Sequence, residues 1–329
     1  MGSFWKNRQV LVTGAGGFIG SHLCDALVQE GAIVHALLKY SSGSHLGSLS
    51  HSPFRSEMKL HFGNINDSEY FTQISKNIDT VFHLAALIGI PYSYQAVESY
   101  IQTNVLGTFQ VLNACQRNSV RKVIITSTSE TYGTALYAPI DEKHPLQAQS
   151  PYAASKISAD KIAESMFLSF QLPVCTVRPF NTYGPRQSSR AVIPTILSQA
   201  IMNRRVKLGS LNPTRDFNFV SDTVSGFLRA AESEKSNGEV FNIGSGKEIS
   251  IGEVCQMTKK ILGFDFEIIA DDARLRPEKS EVHRLIACNQ KANRELNWKS
   301  EVSLEQGLKQ TAEFVQKNLS LFNTKEYTV

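Results

Sequence analysis

The sequence predicts an α/β fold in which a doubly wound parallel sheet is followed by a smaller C-terminal lobe. Three observations indicate this. Short runs rich in β-branched residues alternate with longer helical patterns in the first half of the chain. Several of these runs are almost wholly apolar, as in strands that are buried on both faces of a parallel sheet. A glycine-rich turn joins the first run to the first helical pattern, as at the start of a Rossmann-like sheet.

The same patterns place the individual elements in chain order. Strands are expected at Gln9–Thr13, Ala32–Leu38, Met58–Phe62, Thr80–Leu84, Lys122–Ser127 and Pro173–Arg178, and helices at Phe18–Glu30, Glu98–Asn118 and Pro151–Phe170. After Pro179 the helices shorten and prolines interrupt the pattern. We therefore expect residues 1–179 to form the sheet domain, joined by about residues 218–243, and residues 180–329 to form mainly a second lobe.

Composition excludes several classes of protein. With 42% hydrophobic and 19% charged residues, the chain is typical of a globular protein. It has no run of the roughly 18 apolar residues that a membrane helix needs. A net charge of +4 without a Lys/Arg-rich block gives little support to nucleic-acid binding. The 5 cysteines form no C-x-x-C pair, which indicates free thiols and no metal site. We expect a cytoplasmic protein without nucleic-acid or membrane partners.

The glycine-rich turn has the spacing of a phosphate-binding loop. Residues 12–20 read VTGAGGFIG, with Gly14, Gly17 and Gly20 at G-x-x-G-x-x-G spacing between a strand and a helix. The chain turns tightly at the first glycine, a Cβ at the second would keep a phosphate off the backbone, and the third lets the helix pack closely. Phe18 and Ile19 open the helix, whose free N–H groups favour a pyrophosphate. The motif predicts a dinucleotide cofactor, so that the first domain is dinucleotide-binding.

The end of the second predicted strand indicates which dinucleotide binds. An acidic residue there would bond the 2′-hydroxyl of the adenosine ribose and select NAD. Residues 36–42 read ALLKYSS, in which Lys39 and Ser41 offer a cation and a hydroxyl that suit a 2′-phosphate. We therefore expect NADP, with NAD as the alternative. Further cofactor contacts are expected from Asn64 and Ile65 after the third strand, and from Leu84, Ala85 and Ala86 after the fourth.

A tyrosine and a lysine begin the helix that follows Pro151. Tyr152 and Lys156, in the sequence YAASK, lie four residues apart on one helix face, so that the lysine can approach both the phenol and a cofactor ribose. A nearby ammonium is expected to lower the pKa of the tyrosine and to make it a base near neutral pH. Behind a dinucleotide loop, this spacing predicts a catalytic pair.

Three polar residues follow the fifth predicted strand: Thr128, Ser129 and Glu130. The carboxyl edge of a parallel sheet is where such folds place their ligands. We interpret Glu130 as a base beside the substrate and Thr128 as the group that holds the reacting oxygen.

With these motifs, the stretches HLAA (83–86), TNVLG (103–107) and RPFNTYGP (178–185) make the chain resemble the extended short-chain dehydrogenases that act on nucleotide sugars. The resemblance runs from Gly14 to Arg276 and implies that Thr103 also contacts the cofactor. Within that group, Thr-Ser-Glu is similar to the 4,6-dehydratases and most like the GDP-mannose pattern. The dTDP-glucose branch has an Asp at the middle position, which acts as the acid. Ser129 at this position leaves the identity of the proton donor open.

Three longer stretches are similar to the legionaminic-acid pathway dehydratase, which acts on nucleotide-linked N-acetylglucosamine. They are ALIGIPYS (86–93), SETYGTA (129–135) and PRQSSRAVIP (185–194). The resemblance implies a nucleoside-diphosphate sugar as the partner, UDP- or GDP-N-acetylglucosamine, bound mainly by the C-terminal lobe. The implied substrate contacts are Ser93, Asn181, Arg186, Arg190, Arg215 and Arg276.

The reaction that the resemblance implies is a redox-neutral dehydration. Tyr152 takes the C4 hydroxyl proton while the C4 hydride passes to the nicotinamide. Glu130 then removes the C5 proton, which the new ketone acidifies, and water leaves from C6. The hydride returns to C6, so the cofactor is recycled and is expected to stay tightly bound.

Apolar stripes on the helix Glu98–Asn118 and on the helix after Tyr152 bear on the oligomeric state. In the family that the chain resembles, such helices form a four-helix homodimer interface. Packing within one chain would give the same pattern.

Other functions remain open at this point. UDP-glucuronate decarboxylases share Thr-Ser-Glu before the tyrosine, whereas a 4-epimerase does not need a carboxylate such as Glu130. A non-catalytic dinucleotide sensor would keep the glycine loop, but it would have no reason to keep Thr128, Tyr152 and Lys156 with it. The sequence leaves the nucleotide base open among UDP, GDP and dTDP.

Overall fold

The computed structural model describes residues 4–42 and 45–322. In the first half of the chain the elements are β1 (Gln9–Thr13), α1 (Phe18–Gln29), β2 (Ile33–Lys39), β3 (Lys59–Gly63), α2 (Ser68–Ile74), β4 (Thr80–His83), α3 (Ile90–Ser93), α4 (Val97–Tyr100), α5 (Gly107–Arg117), β5 (Lys122–Thr126), α6 (Pro151–Phe170) and β6 (Val174–Pro179). The predicted strands and helices therefore recur within a residue or two of their expected bounds.

The second half contains shorter strands and helices. They are β7 (Thr182–Tyr183), α7 (Val192–Asn203), β8 (Arg205–Leu208), β9 (Thr214–Arg215), β10 (Asn218–Phe219), α8 (Val220–Glu232), β11 (Val240–Ile243), β12 (Ile249–Ser250), α9 (Ile251–Leu262), β13 (Glu267–Ala270), α10 (Gln290–Leu296) and α11 (Leu304–Lys317). Six of these strands pair into three small two-stranded sheets, β7 with β10, β9 with β12 and β8 with β13.

The central sheet has seven strands in the order β11-β6-β5-β4-β1-β2-β3, all parallel. The predicted doubly wound, Rossmann-like fold is confirmed. The outermost strand, β11, comes from the second half of the chain and pairs with β6 in register Val240↔Thr176. The carboxyl ends of β1, β4 and β5 therefore meet at the middle of one sheet edge, where such folds bind ligands.

The alternation of side chains along each strand builds two cores. Val10 and Val12 of β1 pack with α1 and α8 on one face, and Leu11 packs with α2, α5 and α6 on the other. Both faces of the strand are apolar because both are covered. No helix of the described residues is long and apolar enough to cross a membrane.

The helix predicted at Glu98–Asn118 is not uniform. Between α4 and α5, residues Ile101–Leu106 form a π-helical turn. Such turns insert an extra residue and frequently lie at functional sites. Here the turn brings Thr103 and Asn104 to the loop that follows β4.

Candidate active site

The glycine loop joins β1 to α1 and leaves the N-terminus of α1 open. Gly14 has φ +69°, and a Cβ there would lie 2.7 Å from the Ala85 nitrogen. A Cβ on Gly20 would lie 2.3 Å from the Gly14 carbonyl oxygen, so that α1 can sit against the turn only with glycine at this position. Gly17 is the N-cap, and no side chain caps the helix. The free N–H groups and the lack of a Cβ at Gly17 fit a pyrophosphate.

The end of β2 presents the residues expected at the adenosine ribose. Lys39 is exposed, and the buried Ser41 hydroxyl has no hydrogen-bond partner within residues 4–42 and 45–322. A buried hydroxyl without a partner is costly, so a ligand oxygen would complete it. Asn64 is exposed and accepts a hydrogen bond from the Asn66 nitrogen at 3.0 Å. Ile65, in contrast, is buried in the core, where its side chain packs against Gly107 of α5.

A hydrogen-bond network holds the loop after β4 against the glycine loop. The Leu84 and Ala85 nitrogens both donate to Thr13 Oγ1 at 3.1 Å. Since that oxygen accepts twice, its own proton goes to His83 Nδ1, 2.8 Å away. His83 is therefore neutral and uses its other nitrogen toward Thr108 Oγ1 at 3.0 Å. Burial lowers the pKa of His83 to about 3.

Asn104, in the π-helical turn, connects this loop to the helix α6. Its amide accepts from the Leu87 nitrogen at 2.8 Å and donates to the Leu87 carbonyl oxygen and to Ser155 Oγ, both at 2.9 Å. Thr103, beside it, is half-buried. One side chain thus fixes the loop that contains Leu84, Ala85 and the half-buried Ala86 relative to the predicted catalytic helix.

Tyr152 and Lys156 occupy the first turns of α6. Ser150 caps the helix by accepting from the Ala153 nitrogen at 3.1 Å, and Pro151 takes the first helical position. Both site residues are buried, and Lys156 Nζ donates to the Thr126 carbonyl oxygen at 2.6 Å.

The expectation that Lys156 lowers the pKa of Tyr152 is wrong. Burial raises the pKa of Tyr152 well above its usual range; a hydrogen bond with Thr128 opposes this, and the charge of Glu130 adds to it. Burial lowers the pKa of Lys156 to about 8, against the effect of Asp160. The helical spacing was right, but the lysine is directed to a backbone carbonyl and the phenol is desolvated.

The Thr-Ser-Glu stretch forms a short 3₁₀ turn directly after β5. Thr128 caps the turn, and its Oγ1 accepts from the Glu130 nitrogen at 3.2 Å. Thr128 and Ser129 are buried, and Glu130 is half-buried. The hydrogen bond between Thr128 and Tyr152, and the effect of Glu130 on the same phenol, place all three groups in one site.

Arg276 contacts this carboxylate, and a second arginine, Arg215, lies close enough to feel its charge. Arg276 Nη1 lies 3.6 Å from Glu130 Oε2. Arg215 is buried, donates to the Thr214 carbonyl oxygen at 3.0 Å and pairs with Glu281 at 3.2 Å. Burial lowers the pKa of Arg215, and the charge of Glu130 opposes that effect. The site therefore combines one base with two cations, which suits a sugar attached to a diphosphate.

Asn181 and Arg190 lie at the same edge. The Asn181 Oδ1 is buried and has no partner among the described residues, so it is available to a ligand. Arg190 is exposed, and its charge acts on Tyr100, whose ring meets that of Tyr152 edge-on at 6.2 Å. Sequence reasoning did not identify Tyr100, because an aromatic residue in a helix has no signal that distinguishes a site wall from a core position.

Ser93 and Arg186, which the sequence predicts to contact the substrate, both bind other groups of the protein. The buried Ser93 hydroxyl donates to the Ile90 carbonyl oxygen of its own helix at 2.7 Å. Arg186, at φ +67°, forms a largely buried ion pair with Asp25 of α1 at 2.8 Å and donates to the His51 carbonyl oxygen at 3.1 Å. It fastens the loop after β7 to the first helix, while its Nη1 is buried without a partner among the described residues, so the diphosphate contact stays a prediction.

Residues 4–42 and 45–322 contain no group of three His, Cys, Asp or Glu side chains that could hold a metal ion. The five cysteines are free thiols.

Known proteins with this sequence pattern share the fold. Residues 11–311 match the model of the GDP-mannose 4,6 dehydratase family. The dTDP-D-glucose 4,6-dehydratase of Mus musculus is 32% identical over 340 residues, which cover 99% of this chain and 93% of that protein.

Two solved structures are also similar. A UDP-glucuronic acid 4-epimerase from Bacillus cereus, in complex with UDP-glucuronic acid and NAD, has a TM-score of 0.85 and 29% identity, covering 94% of this chain and 99% of its own. A double mutant of a dTDP-glucose 4,6-dehydratase from Streptomyces venezuelae, with NAD bound, has a TM-score of 0.86 and 27% identity, covering 95% and 98%.

Proposed function

Because the chain belongs to the GDP-mannose 4,6-dehydratase family, within the extended short-chain dehydrogenases that include nucleotide-sugar dehydratases and epimerases, we propose that it is a nucleotide-sugar 4,6-dehydratase. The proposed substrate is UDP- or GDP-N-acetylglucosamine and the product its 4-keto-6-deoxy sugar. One observation carries the proposal: the turn after β5 brings a carboxylate, Glu130, close enough to the Tyr152 phenol for its charge to raise the pKa of that phenol. A 4-epimerase needs no base in addition to that phenol.

In the proposed reaction each protein group has one task. Tyr152, with Thr128, holds the C4 oxygen of the sugar and receives its proton. Since burial keeps the phenol protonated at neutral pH, positive charge must be added beside it before it can act as a base. When bound, the oxidised nicotinamide dinucleotide brings such a charge and carries the hydride.

Glu130 is the base proposed for the C5 proton, which a neighbouring C4 ketone acidifies. The C6 hydroxyl then leaves as water with a proton from Glu130 itself or through Ser129. Arg276, 3.6 Å from Glu130, keeps the carboxylate oriented toward the sugar. Arg276, Arg215 and Asn181 are the groups proposed to hold the diphosphate, since guanidinium groups match phosphate oxygens.

The proposed cofactor is NADP, with NAD as the alternative. The proposal is supported by Lys39 at the end of β2, by the Ser41 hydroxyl, which has no partner among the described residues, and by the lack of a carboxylate there that would select the 2′-hydroxyl. The two similar structures carry NAD, which makes the choice a direct test. The cofactor is proposed to stay bound through repeated turnovers.

The proposed assembly is a homodimer. Apolar side chains that are exposed in the single chain line the helices α4 to α6: Val97, Ile101 and Phe109, with Leu168 and Phe170 at the end of α6. Large exposed apolar faces of this kind mark interfaces, and a second copy of the same helices would cover them.

The deciding experiment is product analysis by NMR and mass spectrometry after incubation with a panel of UDP-, GDP- and dTDP-hexoses. The proposal expects a 4-keto-6-deoxy sugar. Release of carbon dioxide from a UDP-hexuronic acid would identify a decarboxylase, and inversion at C4 would identify an epimerase. Dinucleotide binding without turnover of any nucleotide sugar would favour a sensor.

A further inference from the structure

The helix α6 carries a buried carboxylate one turn beyond the predicted catalytic lysine. Asp160 is 5% exposed and follows Lys156 by four residues, so that both lie on one helix face. Its Oδ2 accepts from Ser127 Oγ at 2.8 Å and from two nitrogens of Arg178, at 3.1 and 2.8 Å. Its Oδ1 is buried and has no hydrogen-bond partner among the described residues.

The surroundings hold the Asp160 side chain in one position. Arg178, on β6, is itself buried and donates to the Tyr132 hydroxyl at 2.9 Å, which in turn donates to Asn242 Oδ1 at 2.8 Å. The Asp160 side chain is therefore held from three places along the sheet. They are Ser127 directly after β5, Arg178 on β6 and, through Tyr132, Asn242 on β11. Two nitrogens of the Arg178 guanidinium donate to the same carboxylate oxygen, so that Asp160 is fixed by a buried ion pair.

Lys156, in contrast, has no hydrogen-bonded anion in the part of the chain that the structure describes. Its ammonium donates to a carbonyl oxygen, that of Thr126 on β5. On β4 it faces His83, which is neutral because both its nitrogens are engaged. On its own helix it has Tyr152 and Asp160, and beyond Asp160 stands Arg178. Among these groups Asp160 supplies the negative charge, and it opposes the burial that lowers the pKa of Lys156 to about 8.

We propose that Asp160 is a positioning residue that keeps Lys156 charged inside the site. The inference rests on the proposed function, in which Tyr152 acts on the sugar, because Lys156 is the residue that the sequence pairs with that phenol on one face of α6. Ser127 and Arg178 act in turn by holding Asp160 in place. No reacting atom touches Asp160, so its effect must appear as a change in the pH at which Lys156 loses its proton.

The test compares the pH dependence of wild type, Asp160→Asn and Ser127→Ala. Ser127→Ala removes one hydrogen bond to Asp160 and keeps the charge, which makes it the matched control. For each protein, kcat/KM with the substrate found by the product analysis, and the dissociation constant of NADP or NAD by fluorescence, are measured from about pH 6 to pH 10. Dinucleotide binding is a readout that does not require turnover.

We expect the basic limb of both profiles to move to lower pH by about one pH unit or more in Asp160→Asn, the usual effect of losing a nearby opposite charge. In Ser127→Ala, the basic limb of both pH profiles should stay at the same pH as in wild type. If Asp160→Asn lowers kcat/KM and binding equally at all pH values, Asp160 is merely structural and the inference is wrong. Wild type that turns over no nucleotide sugar would refute the proposed function, whereas the binding profiles would still decide the role of Asp160.

Asp160→Asn leaves Arg178 buried without its partner, which can prevent folding. The double variant Asp160→Asn/Arg178→Met removes both buried charges, and such replacement is often tolerated. It also deprives Lys156 of the charge of Asp160 and should show the same shift of the limb. An unshifted limb in a folded double variant would overturn the inference.

Discussion

Arg276 places a guanidinium nitrogen 3.6 Å from a carboxylate oxygen of Glu130. The two residues are 146 positions apart in the sequence, one in the turn after β5 and the other in the second half of the chain, so their contact joins two distant segments. The group proposed to remove a proton from the sugar is thus oriented by a residue that is also proposed to hold the diphosphate. In the proposed function, the ion pair of Arg276 and Glu130 therefore takes part both in substrate binding and in proton removal.

The first prediction concerns Glu130 as the base. Glu130→Gln keeps the size of the side chain and removes its basicity, so we expect kcat to fall by about 10²–10⁴-fold, the usual contribution of a positioned base. Solvent deuterium should no longer enter the sugar at C5, as measured by NMR, while dinucleotide affinity stays near that of wild type. Full deuterium exchange in this variant would remove Glu130 from the mechanism.

The second prediction concerns the choice of dinucleotide. Lys39→Asp replaces a cation by a carboxylate at the end of β2, which repels a 2′-phosphate and can accept from a 2′-hydroxyl. The preference, measured as the ratio of the dissociation constants for NADP and NAD, should move toward NAD. Lys6→Asp, an exposed change before β1, is the control. An unchanged ratio in Lys39→Asp would refute the role of Lys39.

The third prediction tests the role of Arg186. Arg186→Met removes the cation paired with the largely buried Asp25 carboxylate, which then keeps the Ser52 hydroxyl as a donor, so we expect a loss of about 3–5 kcal/mol in the free energy of unfolding, measured with urea. The double variant Asp25→Asn/Arg186→Met should recover part of this loss. If Arg186→Met kept the free energy of unfolding of wild type and instead raised KM for the nucleotide sugar, a contact between Arg186 and the diphosphate would be supported.

The fourth prediction concerns the packing of α1 on the glycine turn. A Cβ on Gly20 would lie 2.3 Å from the Gly14 oxygen, so Gly20→Ala should cost about 1–3 kcal/mol of unfolding free energy and weaken dinucleotide binding. In the control Gly252→Ala, on α9, the nearest atom is 3.8 Å away. That change should be neutral or stabilise by up to about 1 kcal/mol. If Gly20→Ala and Gly252→Ala had the same effect on the free energy of unfolding and on dinucleotide binding, the close packing at Gly20 would be contradicted.

The fifth prediction is a pH dependence of stability. The pKa of His83 is about 3 in the folded chain against 6.5 as its ordinary value, so the unfolded chain binds the extra proton first. Stability should therefore be complete above about pH 6.5 and fall progressively toward pH 3. His22 and His35, with their pKa lowered to about 4, act in the same direction. In His83→Gln, the free energy of unfolding measured with urea should depend less steeply on pH than in wild type. An unchanged pH dependence would contradict a neutral His83.

Much of the fold could be predicted from the sequence because its signals are local. Strands buried on both faces must be apolar throughout, and α6 begins where Ser150 and Pro151 supply a cap and a first helical residue. The π-helical turn at Ile101–Leu106 has no such signal, since its residues are ordinary helix formers. The helix α2 went unpredicted because it is only 7 residues long.

The positions of candidate site residues could be predicted only where the spacing of a motif determines which side chains lie together. Tyr152 and Lys156 share a face because helices repeat, whereas the burial that sets their pKa depends on everything packed around them. Arginines could not be sorted by spacing: Arg276 and Arg186 look alike in the sequence, and only the folded chain brings one to Glu130 and the other to Asp25. The part of Asp160 was hidden for the same reason, because Asp160 lies on α6 whereas its partner Arg178 lies on the strand β6.

The return of β11 to the sheet bears on how the protein can be divided. A fragment that stops after Pro179 would lack β11 and leave β6 as the border of the sheet, with its backbone N–H and C=O groups unpaired on one side. Val174, Cys175 and Val177 make that strand apolar, and an apolar unprotected border invites other chains to pair with it. Expression of the N-terminal half alone should therefore yield aggregates, and useful cut sites for engineering lie elsewhere.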